Sequence, residues 1–336
     1  ERPARASFRL PSSPFNLANR RSNSVARDSL PTDTIVKIIT LLAHGCPRQA
    51  IVAAFGVDER TVKHLEESSG KHCEQVHQHL VEQPRDLGQV QGDEIRAKAQ
   101  GRILWLAMAI QVQTRLWLGG VLSTSRDMAL ITTLIQQVRR CALCRSLLFC
   151  VDGCKTYIAA IRHVFREPIR TGNPVRPCLR PWDSIFIAQV VKQYAQKRVI
   201  GVTRRVVQGT RAQVEALLQK TQGGGVINTA YIERLNATFR SRITALVRRG
   251  RALARQVSTL HHVMYLVGTV YNFCTYHPAC VSPSTCHTVG GAGSVGPLPS
   301  QPESPIICGL SMNCCCFASL RRAGNPQGDE DARQTR

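Results

Sequence analysis

Leu147-Leu148-Phe149-Cys150-Val151-Asp152-Gly153 is the stretch that decides the fold. Five apolar residues in a row, with no polar position between them, predict a strand covered on both faces rather than one with a wet side. The run stops at a carboxylate followed by glycine. A strand of this kind therefore carries an acid at its end, where solvent begins. Asp-Gly is also a common turn pair, so taken alone the two residues fit a plain turn equally well.

Working outward, Met128, Ile131, Ile135 and Val138 share one helical face just upstream. Before them, Pro and Gly between Pro84 and Gly92 mark a linker, after which the period becomes strand-like over Gln89 to Ile95, Arg102 to Gln111 and Arg115 to Leu122. Downstream, a helix is expected from about Thr156 to Phe165. Residues 166 to 182, rich in Arg and Pro, read as a loop. Ile185 to Val207 is strand-like and carries Lys192, Lys197, Arg198, Arg204 and Arg205. A short helix around Ala212 to Gln219 ends at Gly223-Gly224-Gly225, and a long one spans about Asn228 to Arg249. Strand, strand, strand, helix, buried strand, helix is the element order of an α/β ribonuclease-H-like core, a mixed sheet flanked by helices.

The charge points to a polyanion. Across 336 residues, 44 Lys+Arg against 22 Asp+Glu give a formal +22, mostly from Arg, whose planar fork suits phosphate. No apolar run reaches the roughly 18 residues of a membrane span, and the N-terminal stretch has no apolar core for secretion, so a cytoplasmic protein with no membrane partner is expected. The fourteen Cys sit inside apolar segments or bunched at Cys314, Cys315 and Cys316, which fits reduced thiols better than a disulfide framework. Cys141, Cys144, Cys150 and Cys154 offer four thiols, and a zinc site is the lesser reading beside buried small hydrophobes.

Four regions follow. Residues 1–30, with six Arg among Ser, Pro and Asn, read as a disordered basic arm. Residues 31–84 are helical. Within them, Arg48 to Phe55 leads through Gly56-Val57 to Asp58, a capping residue for a second helix presenting Glu59, Arg60, Lys63 and His64. That is the layout of a helix-turn-helix DNA-binding domain, although any helical hairpin with a Gly turn looks partly the same. Residues 87–280 hold the α/β core. Residues 281–336, Ser-, Pro-, Gly- and Cys-rich without period, read as a disordered tail, for which frameshifted sequence is one explanation.

Phosphodiester chemistry uses two hard cations about 4 Å apart, which prefer carboxylate oxygens. Three separated acids are candidates to hold them. Asp93 lies in the first strand, with Glu94 expected on the opposite face because side chains alternate. Asp152 ends the buried strand. Glu233 lies in Tyr231-Ile-Glu-Arg-Leu-Asn-Ala-Thr-Phe-Arg-Ser-Arg242, where Ile232, Leu235, Phe239, Ile243 and Leu246 make an apolar stripe and Glu233, Asn236 and Arg240 share a neighbouring face. Seven Arg and no acid follow between Arg234 and Arg255, so a solvated basic helix is the plain alternative.

These residues resemble those of bacterial insertion-sequence transposases of the DDE type. The resemblance rests on Asp93-Glu94, Asp152-Gly153, the block from Tyr231 to Arg240, and Tyr271-Asn272-Phe273-Cys274 leading to His277, and it covers roughly residues 31 to 280. It implies that Asp93, Asp152 and Glu233 are catalytic and hold two Mg²⁺ or Mn²⁺ ions, that the ends of a mobile element are cut, and that the freed 3′-hydroxyls attack target DNA. It implies, as partners, double-stranded DNA with terminal inverted repeats, target DNA, and further copies of the chain in a homo-oligomer at the bacterial nucleoid. Arg60, Lys63, His64, Lys197, Arg198, Asn236, Arg240 and Arg242 are then the expected DNA contacts. A non-catalytic DNA-binding remnant or domesticated relative stays open as the alternative. It would keep the charge and the helices while tolerating loss of the acids, all three of which are present.

Overall fold

The computed structural model describes residues 30–143, 145–169, 178–196, 198–248, 253–254 and 256–275. The expected arm and tail, and His277, lie outside them. In chain order the elements are α1 (Thr32–Ala43), α2 (Arg48–Phe55), α3 (Glu59–Leu80), β1 (Gln89–Ala99), β2 (Arg102–Gln111), β3 (Trp117–Ser123), α4 (Met128–Cys141) and β4 (Leu147–Asp152). After them come α5 (Lys155–Val164), β5 (Arg166–Ile169), β6 (Cys178–Pro181), β7 (Ile185–Ala195), β8 (Arg198–Gln208), α6 (Arg211–Gln222), α7 (Ala230–Arg242) and α8 (Val257–Cys274).

One six-stranded sheet runs β3-β2-β1-β4-β7-β8. The first three strands pair antiparallel, β4 lies parallel to both β1 and β7, and β8 returns antiparallel along β7. This mixed sheet flanked by helices is compatible with a ribonuclease-H-like core. The unbroken apolar run behaves as its composition requires. Leu147, Phe149 and Val151 pack against α4 and α5, while Leu148 and Cys150 face Val214, Leu217 and Leu218 of α6, so both faces of β4 are dry.

The helices before the sheet share a core with it. Ile38, Ile39, Leu42, Ile51, Val62 and Cys73 belong to the same buried cluster as Ile95, Leu106 and Met108 of the sheet, Ile232 and Phe239 of α7, and Met264 and Val267 of α8. Close approach of α3 to α8 depends on Gly70, where a Cβ would meet His262 at 2.4 Å. The turn between α2 and α3 is the one the sequence suggests. Gly56 takes φ +65° at the end of α2, and the Asp58 carboxylate accepts the Arg60 N–H at 2.6 Å.

Two expectations are corrected. The stretch 166–182 is not wholly loop: β5 and β6 form a two-stranded ribbon that pairs Arg166 with Pro181 and Pro168 with Leu179, and prolines are tolerated where a ribbon has free edges. The helix expected to reach Arg249 ends at Arg242. Ile243 and Thr244, both β-branched, leave the helix through an extended Ile243 (φ −118°, ψ 103°) into a single 3-10 turn, Thr244–Leu246. The break lets Ile243 and Leu246 still bury, so the apolar stripe survives without one continuous helix. Among the described residues, no helix is long and apolar enough to cross a membrane.

Candidate metal centre

β1 and β4 run side by side as far as Gly92 opposite Val151. One residue further on, Asp93 and Asp152 come together at the C-terminal end of β4. Ligand oxygens of Asp93, Glu94 and Asp152 all lie within 4.8 Å of one another. The presence of Glu94 corrects the expectation that alternation removes it from the site. Its backbone does lie on the α4/α5 side, but β4 ends at Asp152 and leaves the edge of β1 open there, so the longer side chain reaches the two aspartates.

Each acid is held differently. Asp93 Oδ1 accepts the Glu94 N–H at 2.8 Å and Oδ2 accepts Asn236 Nδ2 at 2.7 Å. Asp152 Oδ1 accepts the Cys154 N–H at 3.0 Å, a local turn that aims its other oxygen at the cavity. Glu94 Oε2 accepts from Arg126 Nη2 at 2.8 Å, whereas its buried Oε1 has only the Tyr157 hydroxyl to pair with. Burial pushes the Asp93 carboxyl above the usual range, and the neighbouring charges of Asp152 and Glu233 add to this. Burial raises Glu94 as well; Arg126 opposes that rise and Asp152 reinforces it.

Glu233 lines the same cavity, of about 830 Å³, from the first turn of α7, together with Asn236, Arg240 and Arg248. It stands apart from the trio. Half exposed, its Oε1 accepts from Lys192 Nζ at 2.5 Å and from Thr229 Oγ1 at 3.0 Å. Arg240 is half-buried with its Nε unpartnered, and burial together with the nearby Arg248 lowers its pKa, an effect Asp93 opposes.

Buried glutamines position these elements, and the sequence reading passed over them. Gln91 on β1 accepts the N–H groups of Tyr231 and Ile232 at 3.0 Å each and donates to the Asn228 carbonyl at 2.8 Å. A sheet residue thus caps α7, whose own Thr229 is turned to Glu233 instead. Gln189 on β7 donates to the carbonyls of Asp152 and Cys154, and the Arg205 guanidinium holds its amide oxygen at 2.6 and 3.0 Å. The only sequence signal was a polar amide within each strand, set in an apolar run in β7 but among other polar residues in β1. Arg126 was not named at all, and Lys192 only as one of several basic residues between Ile185 and Val207.

The remaining expected contacts are spread over the molecule. Arg60, Lys63 and His64 are exposed on the first turns of α3, with Lys63 3.7 Å from Glu67. Arg198 is exposed where β8 begins, and Lys197 lies outside the described residues. Arg242 does not line the cavity. Its backbone packs on Gly45 between α1 and α2, and its half-buried guanidinium lies near Tyr271 and Cys274. Of the four thiols weighed for zinc, Cys144 lies outside the described residues, while burial pushes Cys141 and Cys150 up to about 12 and keeps them protonated.

Compared with known proteins, the chain matches no family model and no curated protein.

Proposed function

We propose that this chain is a DNA transposase of the DDE type, which cuts the ends of a mobile element and joins them to target DNA by phosphoryl transfer. The observation that carries this reading is the convergence of Asp93, Glu94 and Asp152 at the end of a central parallel strand, with Glu233, Asn236 and Arg240 of α7 lining the same cavity. The residues fit a hard divalent cation. They are all carboxylate oxygens, and the buried Glu94 Oε1 has no neighbour to pair with other than the Tyr157 hydroxyl. Asp93, Glu94 and Asp152 would hold Mg²⁺ or Mn²⁺, with Glu233 as the acid available for a second ion. Such ions supply charge stabilisation for the attacking and leaving oxygens.

The chain's own residues do the rest. Gln91 fixes α7 against β1, so Glu233 and Asn236 keep their place relative to Asp93. Asn236 orients the Asp93 carboxylate. Arg240 and Arg248 receive backbone phosphate opposite the acids, and the excess of positive charge draws in DNA. The exposed Arg60, Lys63 and His64 beyond the Gly56 turn present a helix-turn-helix face to the element's terminal repeats. Several copies acting on one DNA assembly, in a bacterial cytoplasm, complete the proposal.

A second reading, a non-catalytic DNA-binding relative, is favoured by one observation: Lys192 and Arg126 already occupy Glu233 and Glu94. The two readings part in a single experiment. With Mg²⁺ and DNA bearing matched inverted repeats, the wild type should nick the repeat ends. Asp152→Asn should lower the rate at least about 1,000-fold while salt-sensitive binding stays within about twofold. Binding by the wild type without cleavage in Mg²⁺ or Mn²⁺ selects the second reading.

A further inference from the structure

Three carboxylates within 4.8 Å of one another, two of them largely buried, repel strongly unless a cation sits among them. Arg126 is that cation. Its Nη2 lies 2.8 Å from Glu94 Oε2 and 3.7 Å from Asp152 Oδ2. The residue belongs to the connection between β3 and α4, and the backbone there is pinned on its far side. Asp127 caps α4 by accepting the Leu130 N–H at 2.9 Å and also accepts from Ser125 Oγ at 2.7 Å. The side chain itself is 42% exposed and lies over the Trp105 ring, 5.3 Å from its centre.

We propose that Arg126 is a displaceable counter-ion of the acid cluster, which a divalent cation must expel in order to bind. The proposal rests on reading the cluster as a metal centre. The same nitrogen faces both acids, so the contact is a point contact and lacks the paired bonds of a fork, a form that a cation exchanges readily. A divalent ion held by Glu94 and Asp152 would stand within a few ångströms of the guanidinium, and both cannot keep those oxygens. Expulsion from the acids also takes the guanidinium from its present place over Trp105, and in the cavity that it lines it then faces incoming phosphate.

The test is a Mn²⁺ titration of chelator-stripped full-length protein, following free Mn²⁺ by electron paramagnetic resonance. Arg126→Gln should bind Mn²⁺ about tenfold more tightly than the wild type, Arg126→Ala should do the same, and Arg126→Lys should stay within about threefold. A second readout needs no activity. Mg²⁺ should change Trp emission in the wild type, as the guanidinium leaves Trp105, and should change it far less in Arg126→Gln. Equal or weaker Mn²⁺ binding by both Arg126→Gln and Arg126→Ala overturns the proposal and leaves the metal centre standing. Absence of Mn²⁺ binding up to millimolar in the wild type and all variants overturns the metal reading, and the proposal with it.

Discussion

Asn236 on α7 and Asn272 on α8 are both buried asparagines on helices that share one core, yet their amides end differently. Asn272 accepts the Trp117 N–H at 2.8 Å and donates to the Trp117 carbonyl at 3.0 Å, which closes the seam between α8 and the start of β3. Asn236 donates to Asp93 at 2.7 Å and its oxygen has no partner. A closed amide belongs to the stability of the fold, and a half-open one at a cavity belongs to what the cavity binds. The motif around Tyr271-Asn272, part of the resemblance to transposases, therefore acts here as a clasp for the sheet edge.

The comparison breaks most visibly at the clasp. Asn272→Ala leaves two backbone groups of Trp117 buried and unpaired, so a loss of about 3–4 kcal/mol is expected. Asn236→Ala should cost about 1 kcal/mol or less in stability while slowing cleavage about 10- to 100-fold. Urea unfolding and single-turnover cleavage of the two variants check this. The reverse pattern, with Asn236 the costlier to the fold, would abolish the distinction.

The same seam holds His77, whose Nε2 lies 3.2 Å from the Leu118 carbonyl and whose ring packs 4.7 Å from that of Trp117. Burial lowers its pKa to about 4 from an ordinary 6.5. The folded state thus keeps the ring neutral, and the unfolded chain takes up the proton first. Stability contributed by the neutral ring is full above about pH 6.5 and is lost as pH falls toward 4, by up to about 3 kcal/mol at about 1.4 kcal/mol per pH unit. Unfolding midpoints measured across that window should show the slope in the wild type and a flatter profile in His77→Phe. An unchanged slope would place the titration elsewhere.

Much of this architecture is legible in the chain. The run Leu147 to Val151 points to a central strand because a sheet packed on both faces covers five consecutive apolar side chains, and Asp152 follows at its end. The stripe from Ile232 to Leu246 places Glu233 near the sheet for the same reason. What the sequence hides is set by where neighbouring elements stop. Glu94 reaches the aspartates only because β4 ends at Asp152, and the turn at Ile243 depends on β-branched residues finding the core without a helix. Gln91, Gln189, Arg126 and Lys192 act on residues 16 or more positions away in sequence, where local periodicity carries no signal. The shared core of α1 to α3 with α7 and α8 was hidden too, since a Gly-turn hairpin reads as a unit by itself.

Gln91 lies between the two regimes, since it closes a helix end and also aims the site. Gln91→Leu keeps the volume but orphans the N–H groups of Tyr231 and Ile232, at a cost of about 2 kcal/mol. Cleavage per folded molecule should fall further than stability does, because Glu233 and Asn236 are carried by the helix that loses its anchor. Differential scanning calorimetry paired with cleavage rates separates the two losses. Equal and small changes in both would make Gln91 a simple filler.

The smallest effect belongs to the partner of Glu233. Lys192 and Glu233 have side chains 37% and 48% exposed, so water screens their contact and the pair contributes under about 1 kcal/mol despite its 2.5 Å separation. Lys192→Gln should therefore move the unfolding midpoint little at low salt and not at all in about 0.5 M salt, where exposed pairs are screened out. Freed from Lys192, Glu233 becomes available on the open side of the cavity while Asp93, Glu94 and Asp152 keep their places, so the variant separates the acid set by side-chain torsions from the acids set by the strands. A loss of several kcal/mol that persists in high salt would mean that this side of the cavity is as dry as the strand ends, and Glu233 would then belong with the inner acids.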